Sequence, residues 1–484
     1  VEITYLAWDR GTVPSSEGTI EDNWWVRFMN EKMEPEGVKI KIVPIPRAEE
    51  TKVLPTMMAA GTAPDLCYTY DKNLVSMYVS QGGLLDYSPY MKEYGPNLKK
   101  IYSERDLEAG QFSGKQYTFR SIMESIGRTT WIRKDWLDAL GLDVPRNIEE
   151  LYNVLKAFKA KDPGNVGDKM MPLALPQMHL FWDNIVLTAF VEEPPSDEKL
   201  VTPAPLWPET KEALRFLNKL FNEGLLGDLL LDKNDELLNQ GMVRGEIGTF
   251  LYFGHYPFHT AYGNLYVKLK ENVPNAKLVS ILPWTQGDRE PYVNFLRGSK
   301  YGRYFFSPKT AKDPVAVVKF PNWLASDEAI TVSQAGIEGE HYTLDSDGII
   351  TPINDDVFTN KVAWIEPQYQ ALVKLYANDM QNYVKFMARN FDASVRQEFI
   401  DNVQALIDPP FQPIEINLPQ PAADKYLKSL TTKWDEEVVP LLITAPVSDF
   451  DRLFDEALAE YKKNGGDEVA KEAVENYRTQ YGKK

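Results

Sequence analysis

The sequence predicts an α/β fold built from two lobes, and three observations predict it. Apolar, β-rich stretches alternate with amphipathic helical ones from the start of the chain, over 2–8, 23–33, 38–45 and 47–60. That order implies βαβ units and a mainly parallel sheet. With 484 residues, 43% of them hydrophobic, the chain is long enough for two or three domains with sizeable cores. A strand–helix–turn–helix unit from Trp131 to Pro172 then follows a crossover placed near 120–130, where a second lobe would begin.

Taken in order, the first strand (2–8) ends on Trp8-Asp9-Arg10, and open α/β sheets collect ligands at the C-terminal ends of their strands. Asn23 to Met33 is predicted as a helix with Trp25, Phe28 and Met29 on one face. Val38 to Ile45 alternates as the second strand, and Arg47 to Ala60 is the next helix, stopped at Gly61. Pro64-Asp65 leads into a third strand, Leu66 to Tyr70, and Leu74 to Ser80 is helical. The stretch 112–119 reads as a hairpin turning at Ser113-Gly114. In the Trp131–Pro172 unit, Lys134 to Leu140 forms a short helix stopped by Gly141. Asn147 caps a second helix, whose first turn holds Glu149 and Glu150 and whose stripe is Leu151, Val154, Leu155 and Phe158.

Further on, Thr210 to Asn222 and Glu236 to Arg244 are helices, and Gly248 to Tyr252 is a strand running into Phe253-Gly254-His255-Tyr256. The segment 278–284 is a strand ending on Trp284, and Arg303 to Phe306 is another. Ala311 to Ser326 has a helical pattern that Pro321 should break or bend. A hairpin is expected around Asp345-Ser346-Asp347-Gly348, and the chain from 366 onward is mostly helical, with a break at 409–421.

Composition excludes several classes. A net charge of −17 argues against a nucleic-acid partner and against a basic membrane-binding surface. No run of 18 apolar residues offers a membrane span. Val1 starts almost directly in a strand without a basic, apolar leader, so the sequence reads as a mature domain. The single cysteine, Cys67, lies in an apolar run, where a small buried hydrophobe is expected and an intrachain disulfide is impossible. Hydrolase, zinc-protease and nucleotide-binding motifs are missing. Of four histidines, His255 and His259 have helical spacing, but Pro257 lies between them.

Three signatures carry a resemblance. They are the run from Ile132 to Pro163 (IRKDWLDALGLDVPRNIEELYNVLKAFKAKDP), Met57 to Leu66 (MMAAGTAPDL) and Gln334 to Tyr342 (QAGIEGEHY). They resemble the family 1 extracellular solute-binding proteins of ABC importers, specifically the large group that includes alginate-oligosaccharide-binding proteins and similar lipoproteins. The resemblance implies a periplasmic-binding-protein fold: two α/β lobes, a multi-segment hinge and a ligand cleft between the lobes. It puts the N-terminal lobe at 1–125 and 311–365, and the C-terminal lobe at 126–310 and 366–484.

The implied function is capture of an extracellular oligosaccharide and delivery to a membrane permease by a monomer without a chemical step. The implied location is the outer face of the cell membrane, lipid-anchored, or the periplasm. Aromatic and polar residues at the expected strand ends are the binding candidates: Trp8, Asp9, Arg47, Asp65, Tyr70, Arg120, Trp182, Tyr252, His255, Trp284, Tyr301, Arg303 and Trp364. Trp182, Trp284 and Trp364 are the expected stacking residues, and the tryptophan supply favours a neutral chitin-, xylan- or glucan-derived oligosaccharide. An acidic sugar would call for an arginine cluster, for which Arg10, Arg47, Arg120 and Arg303 are available though scattered in sequence. Uronic-acid oligosaccharides and peptides are the alternative ligands, and a carbohydrate-active enzyme is the rival from another class.

Relatives in this group carry a calcium loop where this chain has Asp162 to Pro172. Asp162, Asn165 and Asp168 remain as oxygen ligands, but Lys169 and Met170 replace the closing acidic pair. No cofactor is expected, with calcium at this loop as the exception to be tested.

Overall fold

The structure, a computed structural model, describes residues 1–123, 126–176, 185–230, 232, 235–259, 262–289, 300–377, 379–389, 391–403 and 414–482. The chain divides into two compact units. The first comprises Val1–Glu124, Ser299–Phe386 and Glu415–Pro419; the second comprises Ser125–Gly298, Met387–Ile414 and Gln420–Lys484.

Unit 1 grows from the parallel pair β1 (Glu2–Asp9) and β2 (Lys39–Pro46), in register from Glu2↔Lys39 to Asp9↔Pro46. The helix α1 (Trp24–Met33) crosses between them, opened by the buried Asn23 side chain accepting from the Val26 amide. A second helix, α2 (Glu50–Ala60), follows β2 and stops at Gly61 in a left-handed conformation, φ 69°. The strand β3 (Cys67–Thr69) follows, joined to β1 through a parallel bridge between Tyr5 and Leu66. On its other side β3 pairs with Tyr301–Phe306, which pairs in turn with Thr118–Ile122. Cys67 is buried, as its apolar neighbours require.

Unit 2 is built on a four-stranded sheet in the order Leu278–Ile281, Arg128–Arg133, Ile247–Phe253, Met171–Ala174. The helix Lys134–Leu140 ends at Gly141, φ 62°. Asn147 accepts from the Glu150 amide to start Ile148–Lys161, whose buried stripe includes Leu151, Val154, Leu155 and Phe158. Helices of the C-terminal region pack on Pro208–Asn222, where the buried Asn218 amide donates to the Leu442, Ile443 and Ala445 carbonyls. Among the described residues no helix is long and apolar enough to cross a membrane.

Three expectations are corrected. The sheets are mixed rather than mainly parallel: Tyr301–Phe306 runs antiparallel to both neighbours, and so does Arg128–Arg133. Tyr301–Phe306 joins its sheet after the chain has passed through unit 2, so no βαβ crossover dictates its direction, whereas Arg128–Arg133 is antiparallel to two strands of its own unit, Ile247–Phe253 and Leu278–Ile281. The first lobe also takes more of the chain than expected. Residues 301–310 belong to it through the pairing of Tyr301–Phe306, and 366–386 and 415–419 join it as well. Finally, Pro321 lies inside the helix Pro314–Leu324 without ending it. It falls in the last turn, where only one backbone hydrogen bond is lost and the Ala325 amide still reaches the Pro321 carbonyl.

One buried carboxylate ties several unit 1 segments together. Asp106 accepts from Lys300 Nζ (2.9 Å), the Tyr301 hydroxyl (2.8 Å), the Ser103 amide (3.0 Å) and the Ser103 hydroxyl (2.7 Å). Burial pushes its carboxyl up, but the Ser103, Lys300 and Tyr301 donors outweigh that and hold it below the usual range. Replacing Asp106 with Asn strands the buried Lys300 and should cost about 3 kcal/mol in urea unfolding at neutral pH. Because the folded-state pKa is depressed, this contribution is complete above the unfolded carboxyl value near ~4. It is lost as pH falls through the folded value, so the deficit of D106N should shrink in acid.

Candidate functional site

In unit 1, side chains converge just past the ends of β1, β2 and β3. Since Asp9 pairs with Pro46, the parallel register makes Arg10 and Arg47 the next residue on each strand. The Arg47 guanidinium lies 4.1 Å from the Trp8 ring centroid, and that of Arg10 lies 5.7 Å from it. Tyr70, at the end of β3, stacks beside Trp8 with ring centroids 5.8 Å apart and is 48% exposed. Trp8 itself is only 1% exposed, so it is the floor under these groups rather than an open stacking face. Asp9 turns the chain by accepting from the Gly11 amide at 2.8 Å.

Arg303 supports this group from within and does not face outward as a ligand cation. It is buried, donates to the Tyr70 hydroxyl (3.1 Å) and the Ala371 carbonyl (3.3 Å), and pairs with Glu366 at 3.5 Å. Lys374 closes on the other oxygen of Glu366 at 2.9 Å. Burial opposes the Glu366 charge, but Lys374 and Arg303 outweigh it and keep the carboxyl below its ordinary range.

Several expected contacts are instead structural. Arg120 is buried, paired with Glu415 at 3.0 Å and packed 3.9 Å over the Tyr304 ring. Asp65 accepts from the Thr4 amide, the Thr4 hydroxyl and the Lys312 amide. Tyr301 is buried against Asp106, and Trp364, 4% exposed, donates to the Asn360 carbonyl. Trp284, 2% exposed, sits inside unit 2 with its indole N–H donating to the Thr130 hydroxyl at 2.7 Å. The expectation that Trp284 and Trp364 stack on a sugar is therefore corrected, because neither ring offers a face to solvent. Trp182 lies outside the described residues.

Unit 2 gathers rings where the strand Ile247–Phe253 ends. Tyr252 is buried, donates to the Asp235 carboxylate at 2.6 Å, and lies 3.6 Å from Tyr256 between ring centroids. His255 stacks on Phe253 and lies 5.7 Å from His259. Burial pushes the His255 imidazole down to about 4, and His259 adds to that, so His255 is neutral in ordinary buffers. Tyr262 packs on Tyr256 and is 41% exposed. Tyr262 and Glu366 were missed in the sequence. No spacing flags them, since each is placed by a turn or a strand crossing that pairs distant segments.

In the loop Asp162 to Pro172 the first acidic residue is engaged by its own backbone. Asp162 takes a left-handed conformation, φ 46°, and its two oxygens accept from the Val166 and Gly167 amides at 2.9 and 2.8 Å. Lys169 extends toward Glu246 at 4.0 Å. Each Asp162 oxygen carries one backbone amide, and with Lys169 and Met170 where an acidic pair would close the loop, the side chains present fall short of the 6–8 oxygens calcium takes. Among the described residues no three His, Cys, Asp or Glu side chains gather into a group able to hold a metal ion.

Aromatic and polar groups thus gather at strand ends in each of the two α/β units. The chain belongs to the bacterial extracellular solute-binding protein family, whose family model matches residues 16–331. It is 25% identical to the lipoprotein LipO of Bacillus subtilis (strain 168) over 460 residues, covering 92% of this chain and 87% of LipO. It is 23% identical to the polygalacturonan/rhamnogalacturonan-binding protein YtcQ of the same organism over 458 residues, covering 91% and 86%. A solved extracellular solute-binding protein from Bifidobacterium longum subsp. infantis superposes with a TM-score of 0.71 at 18% identity, covering 99% and 98% of the two chains. That likeness shows the periplasmic-binding-protein fold.

Two outcomes follow from the site. Trp284→Ala should lower unfolding stability by about 3–5 kcal/mol in a urea titration; an unchanged midpoint would return Trp284 to the surface. Asp162→Ala should cost about 1 kcal/mol. In the parent chain, calcium and a chelator should leave the thermal midpoint where it is, because a ligand raises it only by binding the folded state. A calcium-dependent rise would contradict the metal-free loop.

Proposed function

We propose that this chain is the extracellular capture component of an ABC importer and that its ligand is an acidic oligosaccharide. It would act as a lipid-anchored or periplasmic protein that hands the bound sugar to permease subunits, with no chemical step. The observation carrying the ligand class is the pair of guanidinium groups over Trp8 beside the exposed Tyr70 ring. Among the described residues Arg10 has no ion pair, and Arg47 has one long pair, to Glu50 at 3.5 Å. Arginine grips carboxylates with a planar fork, and a tyrosine face beside it suits the apolar side of a sugar ring.

The neutral alternative drew on three tryptophans. Two of them are core residues, so the argument for a neutral sugar loses most of its support. The name of YtcQ, which describes a binder of polygalacturonan and rhamnogalacturonan, agrees with an acidic ligand.

A thermal-shift and calorimetric comparison tests this reading with trigalacturonate, a neutral trisaccharide and a mixed peptide set. Trigalacturonate should raise the midpoint most. Arg47→Ala should weaken its binding by about 10- to 100-fold, the worth of a charge-assisted contact. Stabilisation by the neutral sugar alone would overturn the acidic reading, and stabilisation by peptides alone would overturn the sugar reading.

A further inference from the structure

Glu50 opens α2 three residues after Arg47, and its side chain is buried while that of Arg47 is half-exposed. Removing a carboxylate from water costs several kcal/mol unless close partners satisfy it. Other acids of unit 1 withdrawn from water have such partners, among them Asp106 with four donors and Glu366 with two cations. Glu50 is different. Its ion pair with Arg47 is 3.5 Å long, and its Oε1 has no hydrogen-bond partner among the described residues. From β3 and the turn beyond it, Cys67, Thr69 and Asp71 face it. Of these, the Thr69 hydroxyl favours its charge and the Asp71 carboxylate opposes it.

A poorly satisfied buried charge is expensive for folding, and such groups gather at functional sites. The group it touches is the guanidinium that covers Trp8. We infer that Glu50 is a positioning residue: its carboxylate fixes the Arg47 guanidinium over Trp8 and so sets the affinity of this surface for an acidic sugar. This rests on the reading that Arg47 binds the ligand. Burial raises the Glu50 carboxyl above its ordinary value, with Asp71 adding and Thr69 and Arg47 opposing. Acidification therefore protonates Glu50 while a uronate is still ionised, and it releases Arg47.

The test compares the parent chain with Glu50→Gln, which keeps the shape and removes the charge. Without ligand, the Arg47 side-chain N–H resonance should show a ring-current shift from Trp8 in the parent and lose it in E50Q. Trigalacturonate affinity should fall about fivefold in E50Q, a coupling expected of contacting residues. In the parent it should fall as the pH is lowered while the uronate is still ionised, whereas E50Q should be flat over the same range. The thermal midpoint of E50Q should be no lower than that of the parent, because a weakly paired buried acid contributes little to stability.

An Arg47 resonance unchanged in E50Q would overturn the inference, whatever the ligand result. A lowered midpoint with an unmoved Arg47 signal would also overturn it, by making Glu50 a purely structural residue. If Arg47 moves in E50Q but trigalacturonate does not bind the parent chain, the positioning stands and the acidic-sugar reading fails. Glu50→Asp, which keeps the charge, should restore part of the resonance shift.

Discussion

The candidate site of unit 1 depends on the cost of burying Arg303. A guanidinium removed from water needs a carboxylate within reach, and Glu366 supplies it while Lys374 balances the second oxygen. With its charge met, Arg303 can spend another N–H on the Tyr70 hydroxyl. Tyr70 is then held with its ring beside Trp8, although half of its surface is in solvent. An exposed tyrosine normally samples several rotamers. Here a buried cation fixes one end of the ring, so the surface a ligand would meet is organised in advance, and preorganisation lowers the ordering cost of binding. The residues that do this come from 303, 366 and 374, far in sequence from Trp8 and Tyr70.

Much of the fold was legible because local chemistry decides it. The helices Lys134–Leu140 and Ile148–Lys161 begin and end where Asn147 and Gly141 say they should. The strands of unit 1 fall within a residue or two of the apolar runs that predict them. Strand direction was not legible. Arg128–Arg133 and Tyr301–Phe306 read as ordinary strands, and their antiparallel direction is set by long connections, within unit 2 for the first and through unit 2 for the second, that carry no local signal. The candidate site was legible in part. Trp8, Arg47 and Tyr70, singled out because they stand at strand ends, do lie against one another. Trp284 and Trp364 were misjudged, since nothing in one sequence separates a ring that packs in a core from a ring that awaits a sugar. The pairing of Arg10 with Arg47 was hidden for a different reason. It depends on the register of β1 against β2, and a shift of one residue would put them on opposite faces.

The loop at Asp162 shows how one carboxylate can hold a turn through its own backbone. A bound cation would hold such a turn by drawing oxygens inward. Here a single carboxylate accepts the Val166 and Gly167 amides and holds the turn. The substitution by Lys169 is then consistent with the geometry, because a positive side chain no longer competes with a metal and can lean toward Glu246.

Buried acids in unit 1 separate into two kinds by the same accounting. Asp65, Asp106 and Glu366 each meet several donors, and their partners come from different segments, so each fastens the fold together. Glu50 meets one guanidinium at a long distance, from its own turn of chain, with the Thr69 hydroxyl of β3 as its other favourable neighbour. If stability alone governed that position, an apolar residue would serve as well or better. What an apolar residue cannot do is hold a cation over an indole ring at the surface. The incomplete pairing also leaves guanidinium donors able to turn toward another carboxylate, which a tight bidentate pair would not permit. A weak internal partner thus orients Arg47 without consuming it, and that combination is what a surface selecting for acidic groups requires.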